Sequence, residues 1–374
     1  MMIKRVIQDV RDIGSNLRLA QESGRTTGEA VVSELTQTGI LSIFLDNKDN
    51  TNRYDILLGV DVVIEAASID PSYGWLLMAF GLAISNCSRY LPEEARTRLF
   101  SEGVPIIAGQ YQPRGRAFKS EGGYTLSGNW MFGSGIEQAQ WVMVGFLIVE
   151  DERVILNSDG KPLIKVGVVQ AKAFTINQGS WDVMGLENTR SFDFSCREIF
   201  VPEEYCFDFN LACTQKNAHQ QLSLLDSAYT IHGAWAVGAG IGILEAFKFD
   251  AKHIIRANES SSLATQTGIA EGYGRALAGL LSARALINEL IKSSTDNAFR
   301  EYQSEPSDIF QISGTFATDQ AVAATDFVMR YIGTSGIRGA SKIQRFLRDI
   351  HTGRQHMMVS QRNYQSIADS LLRC

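Results

Sequence analysis

The 374 residues predict an α+β chain in which a helical block, a β-block and a second helical block follow one another. Three observations carry this. Residues 1–103 repeat apolar positions at spacings of three and four. Residues 104–207 break into short alternating or apolar runs between Gly, Pro, Asn and Asp, and residues 208–374 return to long periodic segments. In the first block "GEAVVSELTQTGIL" and "YDILLGVDVVIEAASID" read as helices, and Pro71 starts the next one. The β-block is read from "VPIIAGQYQPRGRAFKSEGGYTLSGNW", "WVMVGFLIVE", "KVGVVQAKAFTI" and "RSFDFSCREIFVP". In the last block "LLDSAYTIHGAWAVGAGIGILEAFKFDAKHIIRAN" and "TQTGIAEGYGRALAGLLSARALINELIKSS" predict helices of an antiparallel bundle, joined by a loop at "ESSS".

Bulk properties narrow the function. A net charge of -6 leaves no basic field for a phosphate backbone, so nucleic acid is not an expected partner. The longest apolar runs fall short of the roughly 20 residues of a membrane-spanning helix, so no membrane is expected. "MMIKRVIQDVRDIGSN" mixes charges with apolar residues and lacks a signal peptide's apolar stretch, which predicts a cytoplasmic protein. Five cysteines without a CxxC pair or a nearby His predict reduced thiols and no metal site.

Two glycine-rich stretches invite functional readings. "AVGAGIGILEA" at 236–246 has the look of a dinucleotide fingerprint, but no strand precedes it. Its small residues recur every four, the spacing that lets one helix lie close against another. In "GNWMFGSGIEQAQWVMVG" at 128–145 two tryptophans flank a Gly133-Ser134-Gly135 step, where missing side chains expose backbone to a ligand or mark a bulge.

With "AGQYQPRGRA" before it and "WDVMGLENTRSFDFSCREIFVPEE" after it, this stretch resembles the acyl-CoA dehydrogenase superfamily. More specifically, the chain is similar to the group D two-component flavin-dependent monooxygenases. The likeness extends from "VVSELTQTGIL" and "AASIDPSYGW" to "YIGTSGIRGASKIQRFLRDIHTGRQHMMV". It implies an acyl-CoA dehydrogenase-like fold: an N-terminal helical domain, a central β-domain and a C-terminal four-helix bundle, assembled as a homotetramer.

It also implies reduced flavin, FMN or FAD, as cofactor. A separate NAD(P)H flavin reductase would deliver it, and a small organic substrate would be oxygenated through a C4a-hydroperoxyflavin. By the same resemblance Trp130 and Phe132 line the flavin ring, Ser134 faces its reactive edge, and Gly109 and Gln110 border it from another strand. Arg256, expected at the end of the first long bundle helix, and the turn Gly333, Thr334, Ser335 and Gly336 would meet the rest of the cofactor, often that of a neighbouring subunit.

The end of the chain separates oxygenase from dehydrogenase. A dehydrogenase needs a carboxylate base to take a proton from the substrate. Eight residues or so beyond Arg348-Asp349, where the resemblance places it, stands Met357, and no Glu follows Glu305. Asp226 is the alternative acid, which keeps open a dehydrogenase-like oxidoreductase; a catalytically silent flavin-binding homologue is the third reading. Beside Met357 stands His356, where group D enzymes place a histidine next to the flavin. A single helix is expected through "RDIHTGRQHMMVSQRNYQSIADSLL", with His356 at the edge of its packed face. Ala83 occupies the position of a histidine found in many relatives, pointing to a substrate other than a simple phenol.

Overall fold

A computed structural model of the chain describes residues 2–22, 27–46, 55–214, 222–294 and 308–372. Cys374 lies outside them; the other four cysteines are unpaired thiols. The N-terminal block contains helices α1 (Met2–Glu22), α2 (Thr27–Thr38), α3 (Ile56–Ile69), α4 (Pro71–Tyr90) and α5 (Glu93–Leu99). Asp70 accepts from the N–H groups of Ser72 and Tyr73, and Pro71 fills the first turn where no N–H is needed, which fixes the start of α4.

The central block is one eight-stranded sheet. Its strands are β1 (Ile107–Ser120), β2 (Gly123–Gly133), β3 (Trp141–Glu150), β4 (Arg153–Val154), β5 (Ile164–Gln170), β6 (Thr175–Asn177), β7 (Phe192–Pro202) and β8 (Cys206–Asp208). The order is β6-β7-β2-β1-β3-β5-β8, with β4 on β3. β1 and β3 run parallel and the other pairs antiparallel. The last strand ends one residue past the expected boundary at 207.

Helices α6 (Phe209–Thr214), α7 (Leu224–Ala251), α8 (Thr267–Ser293), α9 (Asp308–Ile332), α10 (Lys342–Gly353) and α11 (Arg362–Leu372) complete the chain. By length and composition α7 could cross a bilayer, but 83% of its apolar window is buried inside the protein. Its small residues do what their spacing predicts. A Cβ on Gly238 would stand 2.3 Å from the carbonyl oxygen of Ile64 in α3, and one on Gly242 would stand 2.2 Å from the Phe346 ring of α10.

Two helix ends differ from expectation. α7 stops at Ala251, where the N–H groups of His253 and Ile254 both turn back to the Asp250 carbonyl, so Arg256 lies in the following loop. The helix expected from Arg348 to the C-terminus is broken. α10 ends at Gly353, against the Trp235 ring; a 3-10 turn at Met357–Val359 follows, then α11. A Cβ on Gly353 would stand 2.1 Å from that indole, so the chain turns where the packing is closest. His356 therefore sits in extended backbone just before the 3-10 turn rather than on a helix face.

Candidate functional site

The three blocks meet at the indole of Trp75, on the second turn of α4. Its Nε1–H donates to Ser134 Oγ over 3.0 Å. Its ring meets Trp235 edge-on with centroids 5.0 Å apart, His232 at 5.6 Å and His356 at 5.8 Å. Ser134 comes from the β-domain, His232 and Trp235 from α7, and His356 from the segment after α10.

The end of β2 decides which aromatic faces the site. In an undisturbed strand positions 130 and 132 share a face. Here the β2–β7 register shifts between Trp130 and Gly133, and Phe132 adopts a left-handed φ of 66°. Trp130 therefore points into the β-domain core, fully buried, stacked on Phe194, with its indole N–H donating to Gly145 O at 2.9 Å. It cannot line a cofactor ring, contrary to the sequence expectation. Phe132 is thrown outward, 56% exposed, edge-on to Trp181 at 6.2 Å. A left-handed backbone at a bulky residue costs about 1–3 kcal/mol.

Beyond Phe132 the chain places Ser134 at 8% exposure. Its hydroxyl pairs with Ser191 Oγ at 2.8 Å, Ser191 with Thr189 Oγ1 at 2.7 Å, and Thr189 donates to the Leu186 carbonyl at 2.8 Å. The segment 184–191 that supplies these hydroxyls is strained, with Leu186 and Arg190 both left-handed. It is pinned from α10: Asp349 Oδ1 accepts the Leu186 N–H at 2.5 Å, and Arg348 donates to the Met184 carbonyl at 2.8 Å and pairs with Glu187. On its other side Arg190 pairs with Glu137, and Thr189 O accepts from the Gly135 N–H. Burial, with Asp70 nearby, pushes the Asp349 carboxyl up to about 7, and its Oδ2 has no hydrogen-bond partner.

His232 is 2% exposed and its ring is stacked on His356 with centroids 5.1 Å apart. Neither of its ring nitrogens has a hydrogen-bond partner among the described residues. Desolvation first, then the neighbouring His356, holds its pKa well below the ordinary value, so it is neutral. His356 is exposed in the single chain although protein crowds its ring. That crowding pushes its pKa down to about 4, while contact with solvent opposes the shift; both leave a neutral imidazole at neutral pH. Its Nδ1 accepts the Met358 N–H at 3.3 Å, which assigns the ring proton to Nε2.

Gln110 donates from Nε2 to the Met131 carbonyl at 2.8 Å and accepts the Gln112 N–H, tying β1 to the residue before Phe132. Gln112 in turn reaches the Met357 sulfur at 3.1 Å, and Met357 is 62% exposed. Gly109 packs against Ala83, which is fully buried; beside it Asn86 donates to the Tyr111 hydroxyl at 2.6 Å.

Arg256 and the turn 333–336 lie together at another corner of the bundle, where Arg256 donates to Tyr331 O at 3.0 Å. The turn opens with Gly333 at φ 72°; Thr334 is exposed, Gly336 is buried, and Ser335 Oγ donates to Ile332 O. None of the hydrogen bonds or ring contacts of the Trp75 cluster involves them. Asp226, the alternative acid, forms a capping box with Ser223 at the start of α7. Sequence reasoning missed His232, Thr189, Ser191 and Asp349; the histidine was the one with a visible signal, an imidazole in an otherwise small and apolar helix.

A flat, mostly apolar ring system with polar edges fits this site. The exposed Phe132 and Met357 offer apolar surface, Ser134 and His356 offer hydrogen-bonding groups, and the nitrogens of His232 have no hydrogen-bond partner among the described residues.

Comparison with known proteins bears on the fold and the family likeness. Residues 230–361 match the family model "Acyl-CoA dehydrogenase, C-terminal domain". The chain is 26% identical over 345 residues to a pigment production hydroxylase of Rhodococcus sp. (strain ATCC 21145), covering 88% of this chain and 85% of that one. It is 22% identical over 340 residues to the oxygenase subunit HsaA, a flavin-dependent monooxygenase of Rhodococcus jostii (strain RHA1), covering 86% and 85%. The structure of XiaF from Streptomyces sp., in complex with FADH2 and glycerol, matches with a TM-score of 0.86 at 18% identity, covering 100% of this chain and 96% of that one. The fold is that of the acyl-CoA dehydrogenases.

Proposed function

We propose that this chain, a member of the acyl-CoA dehydrogenase superfamily, is the oxygenase component of a two-component flavin-dependent monooxygenase that oxygenates a small organic molecule. The observation that carries the reading is the meeting of Ser134 and His356 across Trp75 at a site with no carboxylate among their partners. Met357 stands where a dehydrogenase base is expected, and Asp226 caps a helix.

When bound, reduced FMN or FAD supplies the electrons that activate oxygen and carries the oxygen atom to substrate. The chain's part is to bind, orient and shield. Phe132 and Met357 give the ring system apolar surface. Ser134 offers a lone pair at its edge, and His356 offers an Nε2–H that stays neutral near pH 7. With no ionised side chain among the partners of Ser134 and His356, proton delivery to the oxygen-bearing group is limited, and so is its loss as peroxide. Gly109 and Gln110 hold the β1 side of this wall.

The likeness to relatives described as the oxygenase subunit or oxygenase component of flavin-dependent monooxygenases supports delivery of reduced flavin by a separate NAD(P)H flavin reductase. Phe249, Ile255 and Ile337, all more than 60% exposed near Arg256, support contact with further copies of the chain. A tetramer would bring Arg256 and residues 333–336 of one subunit to the cofactor of another.

The test is to load the protein anaerobically with reduced FMN or FAD and mix it with oxygenated buffer. A delayed return of the oxidised-flavin spectrum, with little free peroxide, supports the oxygenase. Immediate reoxidation with stoichiometric peroxide refutes it, and reduction of bound flavin by an acyl-CoA would favour the dehydrogenase.

A further inference from the structure

The hydroxyl chain behind Ser134 has a direction. Thr189 has one hydroxyl proton, and the Leu186 carbonyl, which can only accept, takes it. In the Thr189–Ser191 contact Ser191 must therefore be the donor. That spends the Ser191 proton, so in the Ser134–Ser191 contact the donor is Ser134. Trp75 Nε1–H can only donate, and it fills one of the two lone pairs of Ser134 Oγ. One lone pair and no proton remain for anything that enters the site. The order Trp75→Ser134→Ser191→Thr189→Leu186 is held by a loop pinned through Asp349, Arg348 and Arg190, so it does not turn over by a simple loop movement.

A flavin reads this polarity directly. At the reactive edge its N5 carries a hydrogen when the ring is reduced and a bare lone pair when it is oxidised. A hydroxyl able only to accept bonds the first and opposes the second.

We infer that Ser191 and Thr189 are positioning residues that fix the direction of the Ser134 hydroxyl, so that Ser134 meets the cofactor as an acceptor and the site selects reduced over oxidised flavin. The inference rests on the reading of this site as a flavin site. It goes further by assigning redox selectivity to two residues that touch neither cofactor nor substrate. An oxygenase fed by a reductase gains from this, because spent flavin leaves and fresh reduced flavin enters.

Ser191→Ala removes the acceptor for the Ser134 proton, leaving it free to point into the site. Thr189→Val keeps the shape but removes the acceptor for Ser191, whose proton can then turn to Ser134 and reverse the chain. Dissociation constants for FMN and FAD would be measured by fluorescence quenching, oxidised in air and dithionite-reduced under argon, on the full chain and both variants. In both variants the ratio of oxidised to reduced dissociation constant should fall by about tenfold, the effect of one hydrogen bond lost or gained. Thr189→Ser should restore it.

A loop merely loosened by mutation would weaken both redox states together and leave the ratio unchanged; that result in both variants overturns the inference. If the unmodified chain binds neither flavin in either redox state, the functional reading fails and the inference falls with it. Binding of reduced flavin with an unchanged ratio in the variants removes the inference alone.

Discussion

Replacing Asp349 by Asn should change how stability depends on pH, and the size of the change follows from the site. The carboxyl is 3% exposed and accepts the Leu186 N–H, while burial and Asp70 push its pKa up to about 7 from the ordinary value near 4. The native state therefore keeps a proton that the unfolded chain releases above about pH 4, so folding takes up a proton and rising pH destabilises the fold. This group's contribution is fully present below about pH 4 and is lost as pH rises through about 7. At about 1.4 kcal/mol per pKa unit the whole effect is on the order of 4 kcal/mol, of which about 2 kcal/mol appears between pH 5.5 and 8.5. Asn keeps an acceptor for the Leu186 N–H and cannot ionise. Urea unfolding of both proteins at pH 5.5, 7.0 and 8.5 isolates the group as a difference, and the Asn variant should gain about 2 kcal/mol on the parent across that range. Parallel pH curves would show that Asp349 is ionised in the native protein and that its burial is compensated by groups not identified above.

Three other perturbations probe the remaining parts. His356→Ala should raise the share of consumed oxygen released as peroxide while leaving the melting temperature within a few degrees; because the parent imidazole's pKa is lowered, the parent's coupling should not change between pH 7 and 8 through this group. Phe132→Gly removes a bulky residue from a left-handed backbone, so the fold should keep its stability or gain about 1 kcal/mol while flavin binding weakens. A parallel loss of both, read by urea unfolding and flavin titration, would make Phe132 a packing residue. Gly238→Ala forces a methyl to within 2.3 Å of the Ile64 carbonyl oxygen and should cost about 1–3 kcal/mol in the same unfolding assay, since α3 and α7 must separate.

The order of the blocks was legible because each rests on local patterning: periodicity of three and four for the helices, short runs between turn residues for the sheet. The Asp70-Pro71 helix start and the small-residue stripe of α7 were legible for the same reason. The errors came where tertiary contact overrides pattern. Nothing in "NWMFGSG" announces that Phe132 takes a left-handed φ, yet that single dihedral decides that Trp130 is core and Phe132 is surface. The break after Gly353 is set by an indole from α7 more than a hundred residues earlier in the chain, and the end of α7 five residues short of Arg256 is a local turn with no Pro or Gly to mark it. Ser134 and His356 do meet, but the contact runs through Trp75, whose role no spacing could reveal.

The distribution of charge ties these observations together. The polar side chains described around Trp75 are neutral: two serines, a threonine, the buried His232, and His356, whose pKa is lowered by the protein crowding its ring. The charged groups Arg348, Glu187, Arg190 and Glu137 stand one layer out with the buried, protonated Asp349, where they grip a strained loop through its backbone and through one another. The ion pairs at the surface of that layer add little stability individually. What they fix is the position of two hydroxyls to within hydrogen-bonding distance, and hence the direction of a third. A carboxylate or ammonium in the inner layer would do the same holding at the cost of a proton source beside the oxygen chemistry. The separation of a neutral inner site from a charged outer clamp therefore follows from the reaction proposed, and it accounts for the missing carboxylate at Met357 and the direction of the Ser134 hydroxyl by one physical requirement.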